Sequence, residues 1–203
     1  MNKYLRLGSL AACLVLLSAC ANLPAQTVFL HPDVSVPTGN VGKGKNIGLR
    51  VLDERQDKIV GYRNMDTSRS APITVEGGLT GDIGDAASKV LMELGFQVVP
   101  PSEGGSRSLT IAVRELSYKA SSLTVTKKVT VKCVLAARAT SGPGIWEGSY
   151  PVSHEKEVVM TPDVDANARA LNDVLTESLT SMLADPALVQ FLGRESAQGK
   201  LIK

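Results

Sequence analysis

The chain has 203 residues, of which 43% are hydrophobic and 21% are charged, a composition typical of one globular domain. It is too apolar for an intrinsically disordered protein and too short for two full domains. The 22 basic residues nearly match the 20 acidic ones, so the charge gives no support to a nucleic-acid-binding protein. A single apolar stretch, near the N-terminus, excludes a multi-span membrane protein.

The N-terminal segment has the parts of a secretory signal. Lys3 and Arg6 make its start positive, and an almost uninterrupted apolar run covers residues 7–17. Such a run spans roughly 16 Å as a helix, far short of the ~30 Å hydrocarbon core of a bilayer. Its length therefore predicts a signal peptide over residues 1–19 and not a transmembrane helix.

The segment ends in Leu17-Ser18-Ala19-Cys20, which resembles the lipobox of bacterial lipoproteins. Small residues before the cysteine let the backbone enter the narrow cleft of a signal peptidase. The resemblance implies that the Cys20 thiol receives diacylglycerol and that cleavage frees its amine for a further acyl chain. Three acyl chains attach a protein durably, whereas one binds a membrane only marginally. The alternative is an ordinary secretory signal that contains a cysteine.

Removal of this signal changes the charge of the mature chain. Lys3 and Arg6 leave with it, so 20 basic residues face 20 acidic ones and the formal net charge is zero. Ala21 stands where an inner-membrane retention signal typically places Asp. By resemblance to sorted lipoproteins, the protein is expected at the inner leaflet of the outer membrane of a Gram-negative bacterium, facing the periplasm. The inner membrane is the alternative.

Cysteine usage leaves one thiol in the mature chain. Cys13 belongs to the signal and Cys20 to the anchor, so Cys133 has no partner for an intramolecular disulfide. Its place among apolar strand residues predicts a small buried core side chain.

Residues 20–45 form the predicted lipidated N-terminus and, because they are rich in Pro and Gly, a flexible tether. A short strand at 27–30 within this tether is the alternative. A tether of about 25 flexible residues would reach roughly 25–30 Å and leave the domain hanging near the membrane. Residues 46–193 are predicted to form the periplasmic domain. Residues 194–203 are predicted to be a polar C-terminal tail.

Hydrophobic periodicity predicts short strands at 47–53 and 58–63, followed by a helix. The apolar stripe of this helix consists of Leu79, Ile83, Ala86, Ala87, Val90, Leu91 and Leu94. Gly95 stands where the helix should end, and residues 96–99 predict the strand that follows.

Three long strand patterns come next. Residues 109–118 alternate with a change of phase near 114–115 that predicts a bulge. Alternation over residues 123–137 predicts one half-buried strand with a wet face. A turn at 141–144 then leads to a weaker strand at 145–160.

The chain then returns to helix. Asp163 is the predicted N-cap of a helix whose apolar stripe runs to Met182, and Asp185-Pro186 opens a short helix to Leu192. The predicted fold class is therefore α+β. It is a two-layer sandwich with a mostly antiparallel sheet of long strands, covered on one face by two main helices.

Three further segments carry a resemblance: Val51-Leu52-Asp53-Glu54-Arg55 with Ile59-Val60-Gly61, Leu94-Gly95-Phe96-Gln97-Val98, and Asn172-Asp173-Val174-Leu175 with Phe191. Together with the lipobox, they make the chain resemble the YajG-type family of uncharacterised bacterial lipoproteins, up to about Gly193. No segment is a catalytic signature, and the resemblance supplies no catalytic residue. The layout is also loosely similar to lipoproteins that assist envelope transport machines.

Two glycine-rich segments invite comparison with phosphate-binding loops. Residues 39–45 fit G-x-x-x-x-G-K, but Asn46 replaces the Ser or Thr that holds magnesium, and the segment precedes a strand. Residues 77–84 lie at a helix start that could hold an anion, yet their glycines lack fingerprint spacing and predict a flexible entry loop. No nucleotide site and no cofactor are predicted.

The two histidines give little support to a metal site or to a catalytic triad. His31 and His154 are too few for a metal site of the usual type, so none is predicted. A Ser-His-acid triad would need His154, whose neighbours Ser153 and Glu155 point to the opposite face of a strand. No catalytic residue is therefore predicted.

Two polar groups remain as candidate contacts. Asp53 and Arg55, two apart at a strand end, share a face and form either a structural ion pair that orders the next loop or a contact with a partner. Lys128, Lys132 and Arg138 lie on one strand face, which is expected to be solvated and to discourage sheet aggregation. Lipid headgroups or an acidic partner are the alternative for these three.

The sequence thus predicts a non-catalytic accessory or structural binding module of the cell envelope, held to the membrane through acyl chains on Cys20 and bound to an envelope protein. No nucleic-acid or nucleotide partner is expected. The first alternative is an auxiliary subunit that binds lipid or lipopolysaccharide in a transport system, which needs an apolar groove between helices and sheet. The second is a periplasmic hydrolase, which needs a pocket joining His154 with a carboxylate and a hydroxyl.

Overall fold

The computed structural model describes residues 23–63 and 71–195. The predicted signal peptide, Cys20 and most of the predicted tail lie outside the described residues. This part of the chain contains the strands β1 (Gln26–Val28), β2 (Asn46–Asp53), β3 (Ile59–Tyr62), β4 (Pro72–Val75), β5 (Gln97–Val99), β6 (Arg107–Ser122), β7 (Lys127–Ser141) and β8 (Gly144–Val158). Its α-helices are α1 (Leu79–Glu93), α2 (Val164–Leu183) and α3 (Pro186–Gly193).

All eight strands form one sheet organised around the long strand β6. β7 pairs with β6 in antiparallel orientation, with the predicted bulge between Val113 and Glu115, and β8 pairs with β7 in the same way. On the other side of β6, β2 pairs in parallel with its first half and β3 with Tyr118. β5 extends the β2 side, and β4 and β1 extend the β3 side. The long ladders are thus antiparallel, while most of the short pairings are parallel.

The helices pack on one face of this sheet. α1 lies against β2 and β5, α2 against β7 and β8, and α3 against β7. The row Val51, Ile111 and Ala137, in register across β2, β6 and β7, faces these helices. Side chains between the two layers are removed from water, which supplies the main stabilising term of the fold. The predicted α+β fold class is confirmed.

Helix boundaries follow local sequence signals. Gly95 ends α1 with φ +85°, a left-handed conformation that glycine adopts without a Cβ clash. Asp163 caps α2, because its side chain accepts a 2.8 Å hydrogen bond from the Ala166 N–H. Asp185 caps α3 through a 2.8 Å bond from the Ala187 N–H.

The flexible tether predicted for residues 20–45 is wrong for the part that the structure describes. From residue 26 to residue 36 the side chains alternate between buried and exposed, and β1 pairs in parallel with β4. The buried ones join the core: Val28, Leu30, Val34 and Val36. Because the prolines in this segment interrupt the sequence alternation without breaking its extended path, the composition suggested a linker.

The strand predicted to begin at residue 123 begins instead at Lys127. Residues 123–126 form the turn between β6 and β7, closed by a 2.8 Å hydrogen bond from the Leu123 N–H to the Thr126 carbonyl. Leu123 and Val125 are therefore 45% and 82% exposed and do not join the buried face. The apolar alternation of β7 simply continues into the turn, where pairing has ended.

Candidate functional site

Asp53 and Arg55, the predicted contact residues, form an ion pair at the end of β2. Arg55 Nε and Nη2 donate to the two carboxylate oxygens of Asp53 at 2.9 and 3.0 Å. Lys58 Nζ donates to Asp53 Oδ2 at 2.7 Å, so that one carboxylate holds two cations. This geometry orders the turn between β2 and β3.

Exposure limits what this ion cluster can contact. The Arg55 and Asp53 side chains are 6% and 16% exposed, whereas that of Lys58 is 66% exposed. Hydrogen bonding from Arg55 holds the pKa of Asp53 well below its usual range. The carboxylate thus serves the internal ion pair, and Lys58 is the group that solvent reaches. Contact of the Asp53–Arg55 pair with a partner stays a prediction.

The start of α1 lies beside this cluster. Residues 77–80 line a cavity of about 260 Å³ together with Asp53, Arg55 and Lys58. Gly78 occupies the N-cap position without a side-chain hydrogen bond. The glycines give this helix start its tight entry, because Gly77 has φ +81°.

Two of the three basic residues predicted on one face of β7 form ion pairs with β8. Lys128 contacts Glu155 at 2.7 Å and Arg138 contacts Glu147, in each case across the ladder. Such surface pairs contribute little to stability, but they neutralise the positive charge that a headgroup site would need. These positions form a mixed-charge outer face.

The face of the sheet away from the helices carries a concave surface that the sequence analysis missed. Leu52, Ala112, Ala136 and Ser149 stand in register across β2, β6, β7 and β8. Since three of these side chains are small, they leave a hollow of about 560 Å³, here named the open-face trough. The signal in the sequence was alanine at strand positions where an exposed face usually carries Thr or a charged residue.

Two ion pairs border the open-face trough. Arg114 Nε lies 2.8 Å from Glu54 Oε2 at one side, and Arg138 pairs with Glu147 at the other. Leu52 is 37% exposed on the floor. The surface thus has an apolar centre with a charged border, and it lies on four paired strands of the sheet.

His154 lies on β8, where its Nε2 is 2.8 Å from Glu177 Oε2 of α2. Both side chains are at least half exposed. The nearby groove between α2 and β7–β8 has a volume of about 300 Å³, and its lining combines apolar side chains such as Val129, Val131 and Ala170 with charged and amide side chains. Among the described residues that line it, no hydroxyl or thiol accompanies His154. Within residues 23–63 and 71–195, no side chain that lines this groove could therefore act as the nucleophile of a hydrolase triad.

The segment that resembled a phosphate loop has another use. The N–H groups of Gly42 and Gly44 donate 2.8 Å hydrogen bonds to the carbonyls of Leu94 and Gly95. Lys45 Nζ reaches the Gly193 carbonyl at 2.9 Å. The hydrogen-bond donors of this segment therefore bind the C-terminal ends of α1 and α3. In the described part of the chain, no group of three or more His, Cys, Asp or Glu residues is placed to hold a metal ion.

Comparison with known sequences identifies the family. Residues 32–193 match the profile of the family Lipoprotein_16, described as uncharacterized lipoprotein. The chain belongs to this lipoprotein family. The resemblance to YajG-type lipoproteins is thereby confirmed. None of the helices described for this lipoprotein is long and apolar enough to cross a membrane. No curated protein sequence matches the chain.

The chain is also similar to several solved structures. A Xanthomonas campestris protein of the family DUF330 is 16% identical, with a TM-score of 0.55 over 79% of this chain and 93% of its own. The lipoprotein GNA1162 of Neisseria meningitidis is 17% identical, with a TM-score of 0.34 over 68% and 97%. A neuraminyllactose-binding hemagglutinin homolog from Helicobacter pylori is 14% identical, with a TM-score of 0.39 over 76% and 92%. At 16% identity, the likeness to the first shows a shared fold alone.

Proposed function

We propose that this protein is a non-catalytic accessory module of the cell envelope, anchored by acyl chains on Cys20 at the inner leaflet of the outer membrane. Its domain faces the periplasm and binds an envelope protein through the open-face trough. The observation that carries the proposal is the trough itself, an accessible hollow on the sheet face opposite the three described α-helices. Membership of a lipoprotein family supports the anchor.

The chemistry of the open-face trough favours a protein partner. Protein interfaces combine an apolar centre with a polar rim, and the trough has Leu52 and alanines at its centre with two ion pairs at its border. Equal numbers of positive and negative border groups give no attraction to a strongly charged polymer. The same ion pairs can be re-formed with groups of a partner, which gives specificity.

In-cell photo-crosslinking tests the proposed interface. A photo-crosslinking amino acid replaces Ser149 in the open-face trough, and in a matched control it replaces Ser181 on α2; both serines are exposed. A defined envelope protein is expected to attach to the residue 149 variant and not to the residue 181 variant. Attachment of the same proteins at both positions would contradict the assignment of the partner to this face.

The anchor has its own test. Cys20→Ser is expected to abolish acylation and to leave unprocessed precursor, which mass spectrometry of the membrane fraction detects. Normal processing and membrane retention of this variant would contradict the lipobox interpretation. A Cys13→Ser variant is the matched control, since Cys13 lies within the predicted signal and should leave processing unchanged.

A lipid-binding auxiliary subunit is the second candidate function. The groove of about 300 Å³ between α2 and β7–β8, with Val129, Val131 and Ala170 in its lining, is the observation in its favour. Its volume is at the lower end of the range for ligand pockets. Lipid that co-purifies with the detergent-extracted protein, and is lost in an Ala170→Trp variant, would favour this role over protein binding.

The hydrolase alternative predicts a phenotype for His154. If the protein has no catalytic role, His154→Ala should leave its cellular function intact, because the imidazole makes only an exposed contact with Glu177. Loss of function in a variant that remains folded by circular dichroism would revive the hydrolase.

A further inference from the structure

The most exposed large apolar side chains of the described residues gather at one end of the sheet. Val125 is 82% exposed, Met160 79% and Val159 76%, and Leu123 beside them is 45% exposed. These four residues are here named the apolar tip. Single exposed apolar residues are ordinary, but several at one place mark a contact surface.

Two chain segments form the apolar tip. One is the turn between β6 and β7, and the other is the connection from β8 to α2. The two meet because Lys127 pairs with Val158 across the ladder. In addition, Lys127 Nζ donates a 2.5 Å hydrogen bond to Thr161 Oγ1. The apolar tip is thus one patch at the end of the β6–β7–β8 ladders.

The N-terminal segment enters the fold at this same end. Arg63 is buried, and its guanidinium donates to the carbonyls of Pro24 and Pro162 at 3.2 Å each. Pro162 lies two residues after Met160 of the apolar tip. The side chains of Gln26 and Asn167 also contact each other, at 2.7 Å, which fixes the segment against the first turns of α2. The path of the chain between residues 24 and 26 is therefore set by contacts with the tip end of the domain.

This entry point places the apolar tip close to the anchor. Four residue steps separate Cys20 from Pro24, and an extended chain covers at most about 14 Å in that length. Residues 26–36 do not lengthen this connection, because their buried side chains belong to the core. An acylated Cys20 would therefore hold this end of the domain within reach of the bilayer interface, which extends several ångströms beyond the hydrocarbon core.

We propose that the apolar tip inserts into the lipid surface to which Cys20 is attached. The inference rests on the acylation of Cys20 proposed above. Surfaces that lie in a bilayer interface present apolar side chains to a depth of about 5–10 Å, with basic groups above them. Lys127 fits the second requirement, since its ammonium is bound to the neutral Thr161 hydroxyl at the border of the tip. The domain is then held in a fixed orientation relative to the membrane and does not move freely on a flexible tether.

Site-specific fluorescence in the full-length, acylated protein tests this orientation. Val125→Cys and Met160→Cys variants are labelled with an environment-sensitive fluorophore and reconstituted into vesicles of phosphatidylethanolamine and phosphatidylglycerol that contain spin-labelled lipid. Ile145→Cys is the matched control, because Ile145 is also apolar and 57% exposed but lies at the other end of the β7–β8 ladder. The ladder is roughly 50 Å long at ~3.3 Å per residue for the 15 residues of β7. Native Cys133 is fully buried and does not interfere.

The expected result is a blue shift of the emission and strong quenching by the lipid spin label at positions 125 and 160, with neither at position 145. Solvent-like emission at all three positions on vesicle-bound protein would overturn the insertion of the tip and leave the anchor intact. Equal quenching at all three positions would overturn the orientation. Failure of the chain to stay on vesicles, with an unmodified Cys20 by mass spectrometry, would instead contradict the proposed anchor and this inference with it.

Discussion

The Tyr150 hydroxyl donates a 2.6 Å hydrogen bond to Oδ2 of Asp185, which joins the middle of β8 to the start of α3. The other oxygen of the same carboxylate caps α3 by accepting from the Ala187 N–H. Burial, followed by the bond to Asp185, raises the pKa of Tyr150 above its usual value, so the phenol stays protonated and remains a donor. One carboxylate therefore fixes both a strand and a helix terminus.

Replacing Tyr150 by Phe should lower the free energy of unfolding by about 1–2 kcal/mol, because Asp185 loses a donor in a partly buried setting. Chemical denaturation at neutral pH measures the change. Tyr118→Phe is the matched control. Among the described residues, the buried Tyr118 hydroxyl has no hydrogen-bond partner, so its removal should leave stability unchanged or raise it. Equal losses in the two variants would contradict the role assigned to the Tyr150–Asp185 bond.

The packing of the N-terminal segment gives a second prediction. Leu30 is 0% exposed in the core, while its neighbour Phe29 is 58% exposed. Leu30→Ala should therefore lower the free energy of unfolding by about 2–4 kcal/mol, through lost burial and the cavity left behind. Phe29→Ala should cost less than about 1 kcal/mol. If both substitutions were neutral in urea denaturation, the segment would be a tether after all.

Elements set by local patterns could be predicted from the sequence. The stripe of α1 and the caps Gly95, Asp163 and Asp185 were found because each signal lies within a few residues of the structure that it determines. The bulge near Glu115 was found for the same reason, since a change in alternation marks it directly.

Features that depend on distant partners could not be predicted. The three residues of β1 gain their place from pairing with β4, where each partner lies 47 positions later in the chain, and no local pattern encodes that partner. The alternation through Leu123 and Val125 is the same whether a strand continues or a turn begins, so these two residues were predicted to lie on the buried face of the strand. Likewise, Ala112 and Ala136 resemble core residues until the sheet shows which face the helices leave open.

Cys133 should be chemically silent in the folded protein. It is 0% exposed, and burial raises the pKa of its thiol to about 12, so almost no thiolate is present at neutral pH. A thiol-specific reagent is expected to modify a chain that starts at Ala21, and so lacks Cys13 and Cys20, only in denaturant. In a Ser149→Cys variant of that chain the added thiol, which is exposed, should react at once. If Cys133 reacted rapidly in the absence of denaturant, the packing of α2 against β7 would have to open readily.

The Asp53–Arg55 pair should make stability depend on acidity. The pKa of Asp53 is lowered in the folded state, chiefly by hydrogen bonding from Arg55, so the unfolded chain binds its proton at a higher pH than the folded chain does. The stabilisation is therefore fully present above the unfolded pKa of about 4 and is lost as the pH falls through the folded value. Acid should weaken the fold through this carboxylate.

Asp53→Asn isolates that effect. At neutral pH the variant should lose roughly 2–4 kcal/mol, because the Arg55 charge, 6% exposed, is left without its carboxylate. Between about pH 6 and pH 3 its stability should then fall less steeply than that of the parent chain in urea denaturation. Asp33→Asn is the control, since the Asp33 side chain is 94% exposed and its only described ion pair, with Lys89, is 4.0 Å long. A parent-like pH slope in Asp53→Asn would mean that the carboxylate is not ionised and paired as the geometry requires.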